Sequence, residues 1–505
     1  MKIYIDRESP IPVYKQIRDQ IRELIVTGVL QPGFKLPPER KLAETLGVNR
    51  STILNAYRDL RADAFISSHI GQGTVVVPPY TITTGNNPGK AGQIPWRQFL
   101  SQSAVRMQNP AISTILKNAN RSDVISFAAG VSYYNADPVD ELLETQNRLL
   151  RDYGSTSLQY CATEGHYPLR ESLCDLMASR GIAATPEEVI VTAGSQQGMD
   201  LTVRILLDPG DIVVVEEPSF FGALQIFQSA GARIMGVPID QQGIRVDILE
   251  TLLERYKPKF IYTIPTFQNP SGVSMDLERR KQLLELAYKY QIPVVEDDPY
   301  GELRYDGNHL PPLKAMDQNG IVIYLSTFSK IIFPGLRVGW LTAPRQLIRQ
   351  FTLAKQIADL HTNTLGQWII NDFIQRGIFA KQVEIIKREN RRNRDLMAES
   401  LEKYGNDELE WYVPNGGLYF WLRLPEEVDL STLITKAEAK KVVFVPGNIF
   451  YSGISSSNYI RLSFSATTLE NIAQGIKLLM AAINEAQGET DENRITPSLE
   501  IKPIL

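Results

Sequence analysis

The stretch "STFSKIIFPGLRVGW", residues 326–340, sets Lys330 close to Thr327 and Ser329, with Arg337 seven positions further on. A hydroxyl, an amine and a guanidinium in one loop are the parts of a site for an aldehyde that carries a phosphate. Lys330 can form a Schiff base with such an aldehyde when nearby cations lower its pKa. Arg337 can bind the phosphate and act as one of those cations. Thr327 and Ser329 can donate hydrogen bonds to the same phosphate. A lysine in such a setting is, by itself, most often a solvated side chain, so the reading depends on what else the chain supplies.

An aldehyde with a phosphate, held by a lysine, describes pyridoxal 5′-phosphate (PLP). That cofactor also needs a carboxylate at its pyridine nitrogen, donors for its phenolic oxygen and an aromatic face for its ring. Each has a candidate upstream. "VVEDDPYGEL" ends an apolar run with Asp297 and carries Tyr300 three residues later. Asn269, in "TFQNPSG", joins Tyr300 as a partner for the phenolic oxygen. "TAGSQQGMDL" places Ser195 and Gln196 at the opening of a helix, where backbone N–H groups form an anion site. "EEPSFFGAL" offers Phe220 to stack on the ring. Taken singly, Asp297 reads equally as a cap, Phe220 as core and Asn269–Pro270 as a turn. Taken together, the motifs arrive in order and each fills a different requirement.

The surrounding pattern fits. "EEVIVTAG", "DIVVVEEP", "KFIYTIPT", "IPVVEDDP", "IVIYLSTFS" and "RVGWLTA" are short, β-branched runs bounded by turn residues, and they alternate with amphipathic helices. This predicts an α/β domain with a mainly parallel sheet over residues 96–487. Ligands of such sheets sit at the carboxyl ends of the strands, where all these residues fall. Residues 78–95, "PPYTITTGNNPGKAGQIP", have a linker composition. Residues 488–505 are polar and contain proline, and read as a flexible tail.

The first 77 residues differ in kind. Val13, Ile17, Ile21 and Leu24/Ile25 fall at helical spacing, and Gly28 closes that helix. "PPERKLAETLG" reads as a short helix with proline near its start and Gly47 at its end. "NRSTILNAYRDLRAD" follows, with Asn49 or Ser51 as its cap. "FISSHIGQGTVVV" alternates and turns at Gly71–Gly73, as a hairpin does. That order predicts a winged helix-turn-helix, mostly α with a β wing. A recognition helix sets its first turns in the major groove, which selects Asn49, Arg50, Ser51 and Thr52. Arg40 suits a phosphate. His69, Gly71, Gln72 and Gly73 form the wing tip.

The totals bound these readings. At 505 residues, 43% hydrophobic and 22% charged, the chain has a soluble composition and room for two or three domains. The net charge of −4 argues against a protein that coats nucleic acid, yet residues 1–77 alone carry +3. Cys161 and Cys174 are the only cysteines and read as unpaired thiols. The amino terminus shows no secretory h-region, and no run is long enough to span a bilayer, so a cytoplasmic protein is expected.

Residues 11–77 resemble the GntR-type winged helix-turn-helix over nearly their whole length, from "VYKQIRDQIRELIVTGVLQPGFKLPPERKLAETLGVNRSTILNAYRDL" to "GQGTVV". The resemblance implies that Arg40, Arg50, Ser51, Thr52 and Gly71 to Gly73 meet double-stranded DNA at an operator. Pro38 stands where that pattern usually has serine, which removes one phosphate contact. Residues 120–485 are similar to the fold-type I PLP enzymes, the aspartate-aminotransferase-like group. The motifs "ISFAAG", "LQYCATEGHYPLRESL", "PNGGLYFWL" and "YIRLSFS" join those above. That similarity implies a C-terminal small α+β subdomain and an internal aldimine at Lys330. It implies a phosphate site from Ser195, Gln196, Thr327, Ser329 and Arg337, with Tyr160 reaching the neighbouring subunit of a homodimer. It also implies that Arg461 clamps an α-carboxylate, helped by Asn269 and the backbone near Gly130.

The two modules in this order resemble the MocR/GabR regulators, in which the aminotransferase-like domain acts as an effector sensor. The expectation is a PLP-binding transcriptional regulator that senses an amino compound, or PLP itself, at Lys330. The alternative is a working aminotransferase with a fused DNA-binding module. "DDPYGELRY" and "FQNPSG" resemble the working aminoadipate/kynurenine-type enzymes, and Phe220 stands where tyrosine is common. Lys330, Asp297 and Tyr300 would be its catalytic residues. No metal site is expected.

Overall fold

In a computed structural model the chain divides into two units, residues 1–98 and 99–505. The structure describes residues 3, 5–6, 12–26, 30, 34–62, 65–69, 73–76, 96–107, 121, 123–131, 137–453 and 458–494. The linker expected at 78–95 and the wing residues Gly71 and Gln72 lie outside them.

The first unit holds helices α1 (Val13–Val26), α2 (Glu39–Leu46) and α3 (Arg50–Ala62) and strands β1 (Ile66–His69) and β2 (Gly73–Val76). Ile17, Ile21 and Ile25 recur every fourth residue, so α1 presents one apolar stripe. That stripe packs with Leu42 of α2 and Ile53, Ala56, Tyr57 and Leu60 of α3. Gly47 ends α2 in the left-handed conformation at φ 61°, where its N–H caps the last turn. α3 starts at Arg50, directly after Asn49. β1 and β2 pair antiparallel, with His69 opposite Gly73. This is the expected winged helix-turn-helix order.

The second unit is built on an eight-stranded sheet. Its strands are β4 (Val189–Thr192), β5 (Ile212–Glu217), β6 (Arg233–Asp240), β7 (Gly243–Ile244), β8 (Phe260–Thr263), β9 (Val294–Asp297), β10 (Val322–Thr327) and β11 (Gly339–Thr342). A two-residue strand, β3 (Ile125–Ser126), precedes them. The spatial order is β4-β11-β10-β9-β8-β5-β6-β7. All neighbours pair parallel except β11, antiparallel to both β4 and β10, and β7, antiparallel to β6. β4, β8, β9, β10 and β11 are buried at every position, as strands covered on both faces must be.

The six runs picked out by sequence are six of these strands, and β6 and β7 are additions. A smaller antiparallel sheet follows: β12 (Glu410–Trp411), β13 (Tyr419–Arg423), β15 (Val445–Pro446) and β16 (Tyr459–Ser463), in the order β12-β13-β16-β15. Between them in sequence, β14 (Val442–Val443) pairs parallel with β3. The helices Ile378–Tyr404, Leu430–Ala439 and Leu469–Arg494 pack over this α+β layer.

The expected tail, 488–505, is corrected at its start, because the helix Leu469–Arg494 continues into it. "EAQGETDENR" holds several good helix formers and no proline, and the helix runs on through Gly488 despite that residue's low helix propensity. Among the described residues, no helix is long and apolar enough to cross a membrane.

Candidate cofactor and ligand site

The carboxyl ends of β4, β5, β8, β9 and β10 open on one cavity of about 370 Å³. The sequence sends a different chemical group to the end of each strand. Asp297 is the last residue of β9, and Thr327 the last of β10. After β4 the chain turns at Gly194, φ 102°, into the helix Ser195–Leu206. A β-carbon at Gly194 would sit 2.8 Å from Arg337 Nη2, so the arginine can lie against bare backbone there.

At one end of the cavity the hydroxyls and Arg337 meet. Thr327 Oγ1 donates to Ser329 Oγ at 2.9 Å, and Arg337 Nη1 reaches the same oxygen at 3.4 Å. Arg337 is itself left-handed, φ 55°, an uncommon conformation for a non-glycine residue. Its other hydrogen bonds go to the carbonyls of Ala193 and Pro334, so no carboxylate among the described residues neutralises it. Ser195, Gln196 and Phe220 line the same cavity.

Lys330 Nζ donates to the Gly130 carbonyl at 2.7 Å. Any side chain at Gly130 would overlap the Tyr419 hydroxyl. Asp297 is buried; Tyr262 donates its hydroxyl to Oδ2 at 2.9 Å, while Oδ1 has no hydrogen-bond partner among the described residues. Burial pushes the Asp297 carboxyl up to about 7. Asp298 adds to the rise, and the Tyr262 hydrogen bond and Lys330 oppose it.

At the far end, Asn269 Nδ2 donates to the Tyr300 hydroxyl at 3.4 Å, and Asn269 Oδ1 accepts from Arg461 Nη1 at 2.9 Å. Arg461 Nη2 donates to the Ala128 carbonyl at 2.8 Å, its Cζ lies 4.1 Å from the Tyr419 ring centre, and Nε has no hydrogen-bond partner among the described residues. Among the described residues no carboxylate pairs with this buried cation. Tyr300 and Tyr419 touch hydroxyl to hydroxyl at 3.3 Å. Burial holds Tyr300 well above the ordinary phenol range. Burial also raises Tyr419, but Arg461 and Lys330 outweigh it and bring that phenol below its ordinary value.

This donor set fits PLP. An unpartnered buried carboxylate oxygen suits a protonated pyridine nitrogen, and an arginine without a carboxylate beside two hydroxyls suits a phosphate. The structure therefore brings Lys330, Asp297, Tyr300, Asn269, Ser195, Gln196, Phe220, Thr327, Ser329, Arg337, Arg461 and Gly130 to one cavity.

Tyr160 does not join them within one chain. It is 83% exposed and meets His361 edge to face. Sequence reading missed Tyr262 and Tyr419. Tyr262 sits in an apolar strand run and reads as core. Tyr419 lies in "PNGGLYFWL", a motif noticed without a role for that residue. Only the pairing of β13 with β16, which sets Tyr419 opposite Ser463, brings it near Arg461.

In the first unit, Arg40, Asn49, Arg50 and Ser51 are exposed and Thr52 is half-buried. Arg50 makes a 3.3 Å pair with Glu39, an exposed contact that a phosphate can displace. Gly73, φ 87°, opens β2 with the Lys35 chain against its α-carbon.

A parallel-sheet PLP fold behind a winged helix-turn-helix defines a class: a cofactor-binding domain joined to a DNA-binding one. The comparisons agree. Residues 122–479 match the family described as aminotransferase class I and II, and residues 13–76 match the bacterial regulatory proteins of the gntR family. The chain belongs to the aminotransferase class I and II family, whose members are PLP-dependent, and carries a gntR-type DNA-binding domain in front. It is a PLP-dependent regulator with the MocR-type order of modules.

The chain is 40% identical to aromatic-amino-acid aminotransferase 1 of Thermococcus litoralis, over 78% of this chain and 96% of that protein. It is 32% identical to the HTH-type transcriptional regulator YisV of Bacillus subtilis, over 93% of this chain and 96% of that one. The crystal structure of LysN, an α-aminoadipate aminotransferase from Thermus thermophilus complexed with N-(5′-phosphopyridoxyl)-L-leucine, superposes with a TM-score of 0.74. There the identity is 35%, over 78% of this chain and all of that one.

Proposed function

We propose that this protein senses an amino compound in the cavity around Lys330 and changes the DNA affinity of its first unit in response. The observation that carries the reading is one cavity that holds Lys330 with a buried carboxylate, Asp297, whose Oδ1 has no hydrogen-bond partner among the described residues, and a buried cation, Arg461, that no carboxylate among them neutralises. When bound, PLP supplies an aldehyde that amines attack and a ring that withdraws electrons.

The chain's own residues divide the work. Lys330 would hold the cofactor's aldehyde through Nζ. Asp297 keeps the proton on the pyridine nitrogen. Tyr300 and Asn269 would serve the phenolic oxygen, and Phe220 the ring. Ser195, Gln196, Thr327, Ser329 and Arg337 hold the phosphate, and Tyr160 does so for the partner subunit of a homodimer. Arg461 and Asn269 bind the ligand's carboxylate. In the first unit, Arg40 contacts phosphate, and Asn49, Arg50, Ser51 and Thr52 enter the major groove of an operator, with His69, Gly71, Gln72 and Gly73 at its flank. The ligand shifts the equilibrium only through different affinities for two arrangements of the protein. The protein acts in the cytoplasm, where the DNA is.

A second reading, transamination, is favoured by the completeness of the same residue set and by the similarity to named aminotransferases. One set of measurements separates the two. The purified protein should show the visible absorbance band of lysine-bound PLP, and Lys330→Ala should abolish it. The regulator reading expects an amino acid to shift that band and change DNA affinity, without turnover after a 2-oxo acid is added. Sustained turnover would establish the enzyme reading. No band after addition of PLP would overturn the role given to Lys330.

A further inference from the structure

Four charged side chains line the cavity among the described residues: Asp297, Lys330, Arg337 and Arg461. Asp297, Lys330 and Arg337 serve the cofactor in the reading above, and Arg461 serves one carboxylate. Among the described residues, no further charge lines the cavity for the rest of the ligand.

The wall beside Arg461 is apolar and already packed. Val445 pairs with Arg461 across β15 and β16. The Phe450 ring centre is 5.2 Å from the guanidinium, and Phe221 meets Phe450 edge-on at 5.7 Å. Ala128, Val445 and Phe450 form one buried cluster, with Phe221 and Ile449 against it. Ala128, Phe221, Val445 and Ile449 also face the cavity. A second carboxylate or an ammonium on a ligand side chain would leave water here and find no partner, which is costly. A branched or aromatic side chain would instead gain by covering this wall. An amine without a carboxylate would leave the buried Arg461 with no counter-charge.

We infer that the small-molecule ligand is an α-amino acid whose side chain is uncharged and branched or aromatic. The inference rests on the proposed PLP and carboxylate roles of the same cavity.

The test uses the full-length protein loaded with PLP. L-leucine, L-phenylalanine, L-glutamate, L-lysine and 2-phenylethylamine are titrated separately against its visible band. Leucine or phenylalanine should act at about tenfold or more lower concentration than glutamate or lysine, and 2-phenylethylamine should act least. Ile449→Arg should narrow the gap for glutamate specifically. If glutamate or lysine acts at equal or lower concentration, the inference falls while the cofactor reading stands. If the amine alone matches phenylalanine, the carboxylate role of Arg461 falls, and the inference with it. If no band forms with added PLP, the cofactor reading itself is overturned.

Discussion

Asp297 shows how a single side chain couples the site to stability. Its carboxyl is raised to about 7 by burial, while the same group in the unfolded chain titrates near 3.8. The folded protein therefore holds a proton that the unfolded chain has released. That contribution to stability is complete below about pH 4 and is lost as pH rises through about 7. Glu296, beside it on β9, is also raised to about 7 by burial and Asp298, and acts over the same window. The cofactor-free protein should lose melting temperature between about pH 4 and 7. Asp297→Asn should remove part of that slope, with Glu296 supplying the rest. Bound PLP should flatten it in the wild type, because a pyridinium stabilises the carboxylate. Thermal melts across pH on both proteins, with and without PLP, check this; an unchanged slope in Asp297→Asn would remove Asp297 from the account.

The helix Ser195–Leu206 carries the phosphate end of the site, and an ion pair between a buried lysine and an exposed aspartate props its first turn. Lys355, fully buried on the helix Arg345–Ala358, pairs with both Asp359 oxygens at 2.7 and 2.8 Å. Gln197 Nε2 donates to the same carboxylate at 2.6 Å, and Gln197 Oε1 accepts from the Ala193 N–H at 2.8 Å. Ala193 in turn offers its carbonyl to Arg337. Asp359→Ala would leave the buried Lys355 ammonium with only Gln197 Oε1, at 3.2 Å, and should cost about 1–3 kcal/mol in urea unfolding. Lys355→Met with Asp359→Ala should recover most of that loss, since both charges are gone. Asp359→Ala should also weaken PLP binding, read from the concentration that restores the visible band. An unchanged PLP affinity would confine this network to stability.

For the whole molecule, regulation requires that ligand and DNA binding be coupled. That coupling is reciprocal: if the amino acid changes DNA affinity by some factor, DNA must change amino-acid affinity by the same factor. A duplex selected by the protein from a random pool serves as the DNA probe. The midpoint of the spectral titration should move in its presence by the factor that the amino acid imposes on DNA binding. Equal midpoints with and without DNA would mean that the two units work independently.

Much of this was legible in the sequence because it follows local rules. The apolar spacing of α1, Gly47 after α2 and the β-branched runs of the large sheet each reflect a periodicity or a turn requirement within a few residues. The order of Ser195, Phe220, Asn269, Asp297 and Lys330 was readable because each ends or follows a strand, and parallel strands deliver their carboxyl ends to one edge. The helix running past 487 was misread because polar composition hid good helix formers.

Other features belong to long-range packing. The antiparallel insertion of β11 between β4 and β10 depends on sheet order, which no local pattern carries. Tyr262 beneath Asp297 and Tyr419 beside Arg461 come from strands distant in sequence, and their meeting depends on register across two sheets. The sequence by itself determined which chemical groups the site holds. Tertiary structure alone decided which of them stay unpartnered and buried, because burial and pairing are properties of neighbours and not of the chain.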